Sequence, residues 1–142
     1  SESFRQLKAA YSDRVQIKTQ ACPAFVTLVE ALEHNSQQAV EVAEQYLRPL
    51  LLAGCDQIVL GCTHFSFLQP SIEKVLVGDE TVIDTALPVA MELNRRLHEM
   101  GQDSQQRLTG HVAFWTSGDV TTMAATVSAL WGREVTPTRI VF

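Results

Sequence analysis

Cys62 and His64, with Thr63 between them, sit near the end of Gln57-Ile58-Val59-Leu60-Gly61-Cys62-Thr63-His64-Phe65. A thiolate can remove a proton or attack carbon, and an imidazole two residues on exchanges protons near neutral pH. The hydroxyl and amide N–H of Thr63 can serve a carboxylate ligand. A following helix N-terminus, nearby backbone N–H groups and a charged His64 would each favour negative charge on the sulfur. The apolar run reads as a buried parallel strand whose carboxyl end presents this triplet, the place where open α/β sheets bind ligands. By spacing alone, a buried cysteine beside a capping histidine fits the triplet as well as a catalytic pair does.

The elements that position the triplet follow from periodicity. Phe4, Leu7 and Tyr11 predict a helix over 2–11, and Val15, Ile17 and Thr19 alternate as a short strand stopped at Cys22-Pro23. Phe25 to Glu30 reads as a short helix or tight loop. Asn35-Ser36 offers an N-cap for a helix over 37–53, with Val40, Ala43, Leu47, Leu50 and Leu51 on one face and a kink at Pro49. A strand over 57–60, a helix over 70–76, a strand over 81–84 and a helix over 86–99 follow. Beyond the polar linker 101–109 come a strand over 111–115, a helix over 120–131 and a last strand over 138–142. Alternating strands and helices predict an α/β sandwich with a mainly parallel sheet.

Composition narrows the function classes. The 142 residues suffice for one domain. A net charge of −5 argues against nucleic acid as a partner, because phosphate binding needs clustered Lys and Arg. No apolar run reaches the length of a membrane span, so no membrane partner is expected. Ser1-Glu2-Ser3 opens the chain without a signal peptide or initiator Met, which suggests that the natural N-terminus has been removed. Three cysteines, Cys22, Cys55 and Cys62, and scattered histidines have no metal-ligand spacing. They read as reduced thiols of a cytoplasmic protein, with no metal site expected. Cys22 and Cys55 read as structural, His34, His98 and His111 as surface residues, and Arg95-Arg96 as a solvated helix face. Asp119 reads as a helix N-cap, and Trp115 and Trp131 as packing residues.

Several segments together resemble the aspartate/glutamate racemase superfamily, and within it the glutamate racemases. They are Ala21-Cys22-Pro23-Ala24-Phe25-Val26-Thr27-Leu28-Val29-Glu30, Leu47-Arg48-Pro49-Leu50, Val59 to Phe65, Val82-Ile83-Asp84-Thr85 and Phe114-Trp115-Thr116-Ser117-Gly118-Asp119. They occur in the family's order along essentially the whole chain. The resemblance implies a cofactor-independent enzyme that interconverts L- and D-glutamate for peptidoglycan by two-cysteine acid–base catalysis. It assigns Cys62 as the second catalytic cysteine, His64 as the histidine assisting it, Thr63 as a substrate contact and Glu30 as the acidic residue near the substrate ammonium. Without the resemblance, Glu30 reads equally as a solvated carboxylate ending a short helix.

The departures shape the expectation. The family's first catalytic cysteine, in a Cys-Asn-Thr context, does not occur here, and neither do the other motifs of its first domain. Phe65-Ser66 stands where members often have Tyr-Pro, and Asp84-Thr85-Ala86 where Asp-Ser-Gly is usual. The chain therefore looks like the C-terminal portion of a racemase, and the resemblance implies an incomplete α/β three-layer sandwich with a mainly parallel sheet. Residues 1–85 would form most of its second domain, and 86–142 a return segment that completes the first. Such a portion is expected to be inactive alone. It should also either self-associate as a homo-oligomer or dock helix 86–99 onto the half-domain, because apolar faces lack their native cover. Two alternatives remain at this level. One is a related superfamily enzyme (an aspartate or hydantoin racemase, or a one-cysteine decarboxylase or isomerase); the other is a non-catalytic binding module.

Overall fold

The computed structural model describes residues 2–102 and 111–141. Its elements run α1 (Glu2–Ala10), α2 (Pro23–Glu30), α3 (Gln37–Leu52), β1 (Gln57–Leu60), a 3₁₀ turn (Phe65–Leu68), α4 (Gln69–Glu73), β2 (Thr81–Asp84), α5 (Ala86–Glu99), β3 (Trp115–Thr116), α6 (Val120–Trp131) and β4 (Thr138–Arg139). The expected linker at 101–109 lies mostly outside the described residues.

The core forms between α2, α3, β1 and the 3₁₀–α4 segment. Pro23 suits the first turn of α2, where its missing N–H costs nothing, and Phe25, Leu28 and Val29 then fall on one buried face. Ser36 caps α3 by accepting the Ala39 N–H at 3.1 Å. Ala39, Ala43 and Leu47, four residues apart, form its buried stripe, with small residues toward the core. The helix runs on past Pro49 to Leu52. Ile58 and Leu60 of β1, with Leu68 and Ile72, complete the cluster. Phe25 sits at its centre with edge-on rings on both sides, Tyr46 at 5.3 Å and Phe65 at 5.2 Å.

β1 and β2 pair in parallel with Leu60 opposite Asp84, and β3 and β4 form a second parallel pair. The α/β class with parallel strands therefore holds, as an incomplete fold of two two-stranded sheets. Three expectations are corrected. First, β1 is buried on one face only: Ile58 and Leu60 point into the core, while Val59 is 58% exposed beside Ile83 at 40%. Nothing among the described residues covers that second face. Second, 15–19 is not a strand, and the outer strands shrink to 115–116 and 138–139. An extended segment counts as a strand only where a neighbour completes its ladder, and none lies beside Val15, which is 52% exposed. Third, the expected helix 70–76 starts earlier, as a 3₁₀ turn that widens into α4, which ends at Glu73.

Helix α5 has no buried residue, so the expected docking onto the half-domain does not occur. Its polar side carries a ladder in which Arg95 and Arg96 pair with Glu92, and Arg95 also with Glu99. Its apolar residues Leu87, Val89, Met91 and Leu93 stay exposed. Asp119 caps α6, accepting the Thr122 N–H at 2.7 Å and its hydroxyl at 2.9 Å; these bonds hold its carboxyl below the ordinary range. Gly132 ends α6 at φ 74°, a left-handed conformation suited to glycine. Leu32 adopts φ 60° just after α2, a strained position for a leucine. Its amide bonds to Val29 O and the next amide to Leu28 O, which closes the helix immediately beyond Glu30. His34 is half-buried rather than on the surface: its ring lies 6.1 Å from Phe67, and its carbonyl accepts the Ser71 hydroxyl at 2.7 Å. That contact joins the loop after α2 to α4, a non-local packing its polar sequence neighbours do not announce.

Candidate active site

At the carboxyl end of β1 the chain turns at Gly61, and Cys62 follows, half-buried, with Thr63 exposed at the tip. His64 begins the 3₁₀ turn, and the Phe65 amide bonds back to the Cys62 carbonyl at 3.0 Å. This tight turn brings Cys62 Sγ to 3.9 Å from His64 Nδ1. On its far side, His64 Nε2 meets Glu30 Oε1 at 3.4 Å. Three residues from two separate segments thus form a row: thiol, imidazole, carboxylate.

The row has a chemical polarity. In the tautomer whose Nε2–H faces Glu30, Nδ1 is an acceptor facing the sulfur. A carboxylate that orients a histidine, which in turn contacts a nucleophile or base, is the general logic of an activated thiol. The sulfur–nitrogen separation is long for a hydrogen bond, and catalytic contacts of this kind shorten in the Michaelis complex. The His64 and Glu30 side chains are 34% and 64% exposed, so their attraction adds little stability and acts mainly to orient the ring.

Packing from behind fixes the row. Phe65, next to His64, is clamped against Phe25 of the core, and the Glu30 carbonyl accepts the Thr126 hydroxyl of α6 at 3.3 Å. Two shallow grooves lie elsewhere. One of about 470 Å³ runs along His111, Phe114, Arg133 and Thr138, and one of about 460 Å³ along Glu73, Leu76 and Thr81. Neither includes Cys62, His64 or Glu30, whose side chains remain partly open to solvent. Among the described residues no group of three or more His, Cys, Asp or Glu is placed to hold a metal ion, and no helix is long and apolar enough to cross a membrane.

Cys22 packs against the core, and burial pushes its thiol up from 9.0 to about 11. Because the folded value lies above the unfolded one, Cys22 supports folding fully below pH 9 and loses that support as pH rises toward 11. Stability measured by urea unfolding should fall between pH 9 and pH 11, and a Cys22→Ala variant should flatten that decline. Peptide mapping after iodoacetamide at pH 8 should find Cys22 modified more slowly than Cys62.

The structure brings Cys62, His64 and Glu30 together and leaves Thr63 beside them, facing solvent. It also draws in Ser66, Asp84 and Thr85, which spacing did not single out. Their role depends on the pairing of β1 with β2, and Asp84-Thr85 entered the sequence reading only as part of a resembling segment.

No family model matches the chain. A glutamate racemase of Pseudomonas putida is 36% identical over 134 residues, which is 94% of this chain and 50% of that protein. One from Herpetosiphon aurantiacus is 40% identical over 118 residues, 83% of this chain and 46% of that protein. Among solved structures, a glutamate racemase isoform of Bacillus anthracis superposes with a TM-score of 0.86 at 26% identity, covering 99% of this chain and 53% of that one. The Thermus thermophilus glutamate racemase, solved with beta-chloro-D-alanine, gives 0.77 at 31% identity, covering 94% of this chain and 51% of that one. The chain spans about half the length of the curated relatives it matches. By sequence and by fold, the chain is similar to about half of a glutamate racemase polypeptide.

Proposed function

We propose that this chain supplies one catalytic half of a cofactor-independent glutamate racemase, with Cys62 as the acid–base group for one face of the substrate. The row Cys62–His64–Glu30 at the carboxyl end of β1 is the observation that carries this reading. In one direction the Cys62 thiolate takes the Cα proton, leaving a carbanion delocalised into the substrate carboxylate. A thiol on the opposite face, contributed by the other half of the enzyme, then delivers a proton to that carbon. Roles reverse in the other direction, and no electrons leave the system. His64 exchanges the proton with the sulfur, Glu30 orients His64 and stands near the substrate ammonium, and Thr63 offers its hydroxyl and amide to a substrate carboxylate. The relatives' names support glutamate as substrate, and the beta-chloro-D-alanine bound to the Thermus enzyme supports an amino-acid ligand.

The domain reading belongs to the same proposal. Residues 1–85 make most of the domain that carries Cys62, and 86–142 form a return segment toward the partner domain. The proposal has the enzyme act in the cytoplasm, supplying D-glutamate for peptidoglycan. One thiol cannot serve both faces, so the 142 residues alone should racemise neither enantiomer. Loss of optical rotation from L-glutamate is the assay, and racemisation by the isolated chain would refute the two-face assignment. The bare faces of α5 and of the β1–β2 sheet support homo-oligomer formation by the isolated chain, measured as a sedimentation coefficient that rises with concentration.

A further inference from the structure

We infer that Asp84, with Thr85, is a positioning residue for the Cys62–His64 turn, an inference whose catalytic consequence rests on the racemase reading. The turn leaves the sheet at Leu60 and rejoins regular structure in the 3₁₀ turn at Ser66. Both ends are fastened to the same dipeptide. The Thr85 hydroxyl donates to the Leu60 carbonyl at 2.9 Å, and the Ser66 hydroxyl donates to Asp84 Oδ1 at 3.0 Å. The parallel register sets this up, because Leu60 and Asp84 are ladder partners and Asp84-Thr85 leaves β2 where Gly61 leaves β1.

The same Oδ1 also accepts the Ala86 N–H at 2.8 Å. Ala86 is the first residue of α5, a helix whose N-cap, Thr85, makes no side-chain capping bond of its own. One half-buried carboxylate oxygen thus ties the start of α5 to the far end of the thiol-bearing turn, and a charged acceptor strengthens both bonds. Between the two anchors lie Gly61, Cys62, Thr63, His64 and Phe65, held internally by the Phe65 N–H to Cys62 O bond. Ser66 supplies a hydroxyl where the resembling family often has proline, so here the anchor is a side-chain bond that substitution can remove cleanly.

Two measurements on the same variants test this. In the 142-residue chain, amide hydrogen exchange over residues 61–66 should accelerate in Asp84→Ala and, less strongly, in Ser66→Ala. Asp84→Asn should stay near the parent, because its amide oxygen still accepts both bonds. In the whole racemase, Asp84→Ala should lower kcat by about 10²-fold, the cost typical of roughly 1 Å misplacement of a reacting group, with KM held and Asp84→Asn restoring most of the rate. If Asp84→Ala fails to fold, Ser66→Ala carries the same test. Unchanged exchange in 61–66 in a folded variant would overturn the inference whatever happens to kcat. Faster exchange in an enzyme inactive toward every amino acid tested would instead overturn the racemase reading and leave the positioning role standing.

Discussion

Replacing Cys62 with alanine in the whole racemase should lower kcat/KM for glutamate by about 10²- to 10⁴-fold in both directions, the range of a lost general acid–base group. The variant also separates the two faces. In deuterated water the remaining thiol can still wash out the Cα proton of the enantiomer that presents it, whereas the opposite enantiomer should show no exchange. Proton NMR of each enantiomer reads both results. Unchanged turnover in Cys62→Ala would refute the central role of this thiol. A His64→Asn variant should fall between parent and Cys62→Ala, since it removes proton exchange at the imidazole and leaves the sulfur in place.

The largest stability effect is expected at Phe25. It is 2% exposed, at the centre of the core, and holds Tyr46 and Phe65 edge-on. Phe25→Ala should destabilise the chain by about 3–5 kcal/mol, through lost burial and the cavity left behind. Its reach extends beyond stability, because Phe65 adjoins His64 and would lose the ring that fixes its orientation. Urea unfolding measures the first effect. Slower racemisation by the whole enzyme, under conditions where the variant is still folded, measures the second. Phe25→Leu, which refills most of the volume without an aromatic edge, should recover more stability than rate.

Helices were read closely from periodicity because their hydrogen bonds are local. The Ser36 and Asp119 caps mark the starts of α3 and α6, and α5 and α6 lie where the pattern puts them. Strands were read less well. Residues 15–19 alternate as a strand should, yet pairing requires a neighbour that periodicity does not reveal. At the site, Cys62 and His64 stood out because only Thr63 separates them. Glu30 lies at the end of α2, and only the resembling segment around Cys22-Pro23 connected it to the thiol. The anchors Ser66, Asp84 and Thr85 depend on Leu60 lying opposite Asp84, a register that no local pattern encodes.

A sheet of two strands has no interior: β1 and β2 each keep one flank of backbone N–H and C=O groups without a ladder partner in their sheet, beside the exposed Val59 and Ile83. Such edges are templates for adding strands from other molecules. Among its described residues the isolated chain therefore carries a surface that can accept further backbone, so crowding favours growth of sheets between copies.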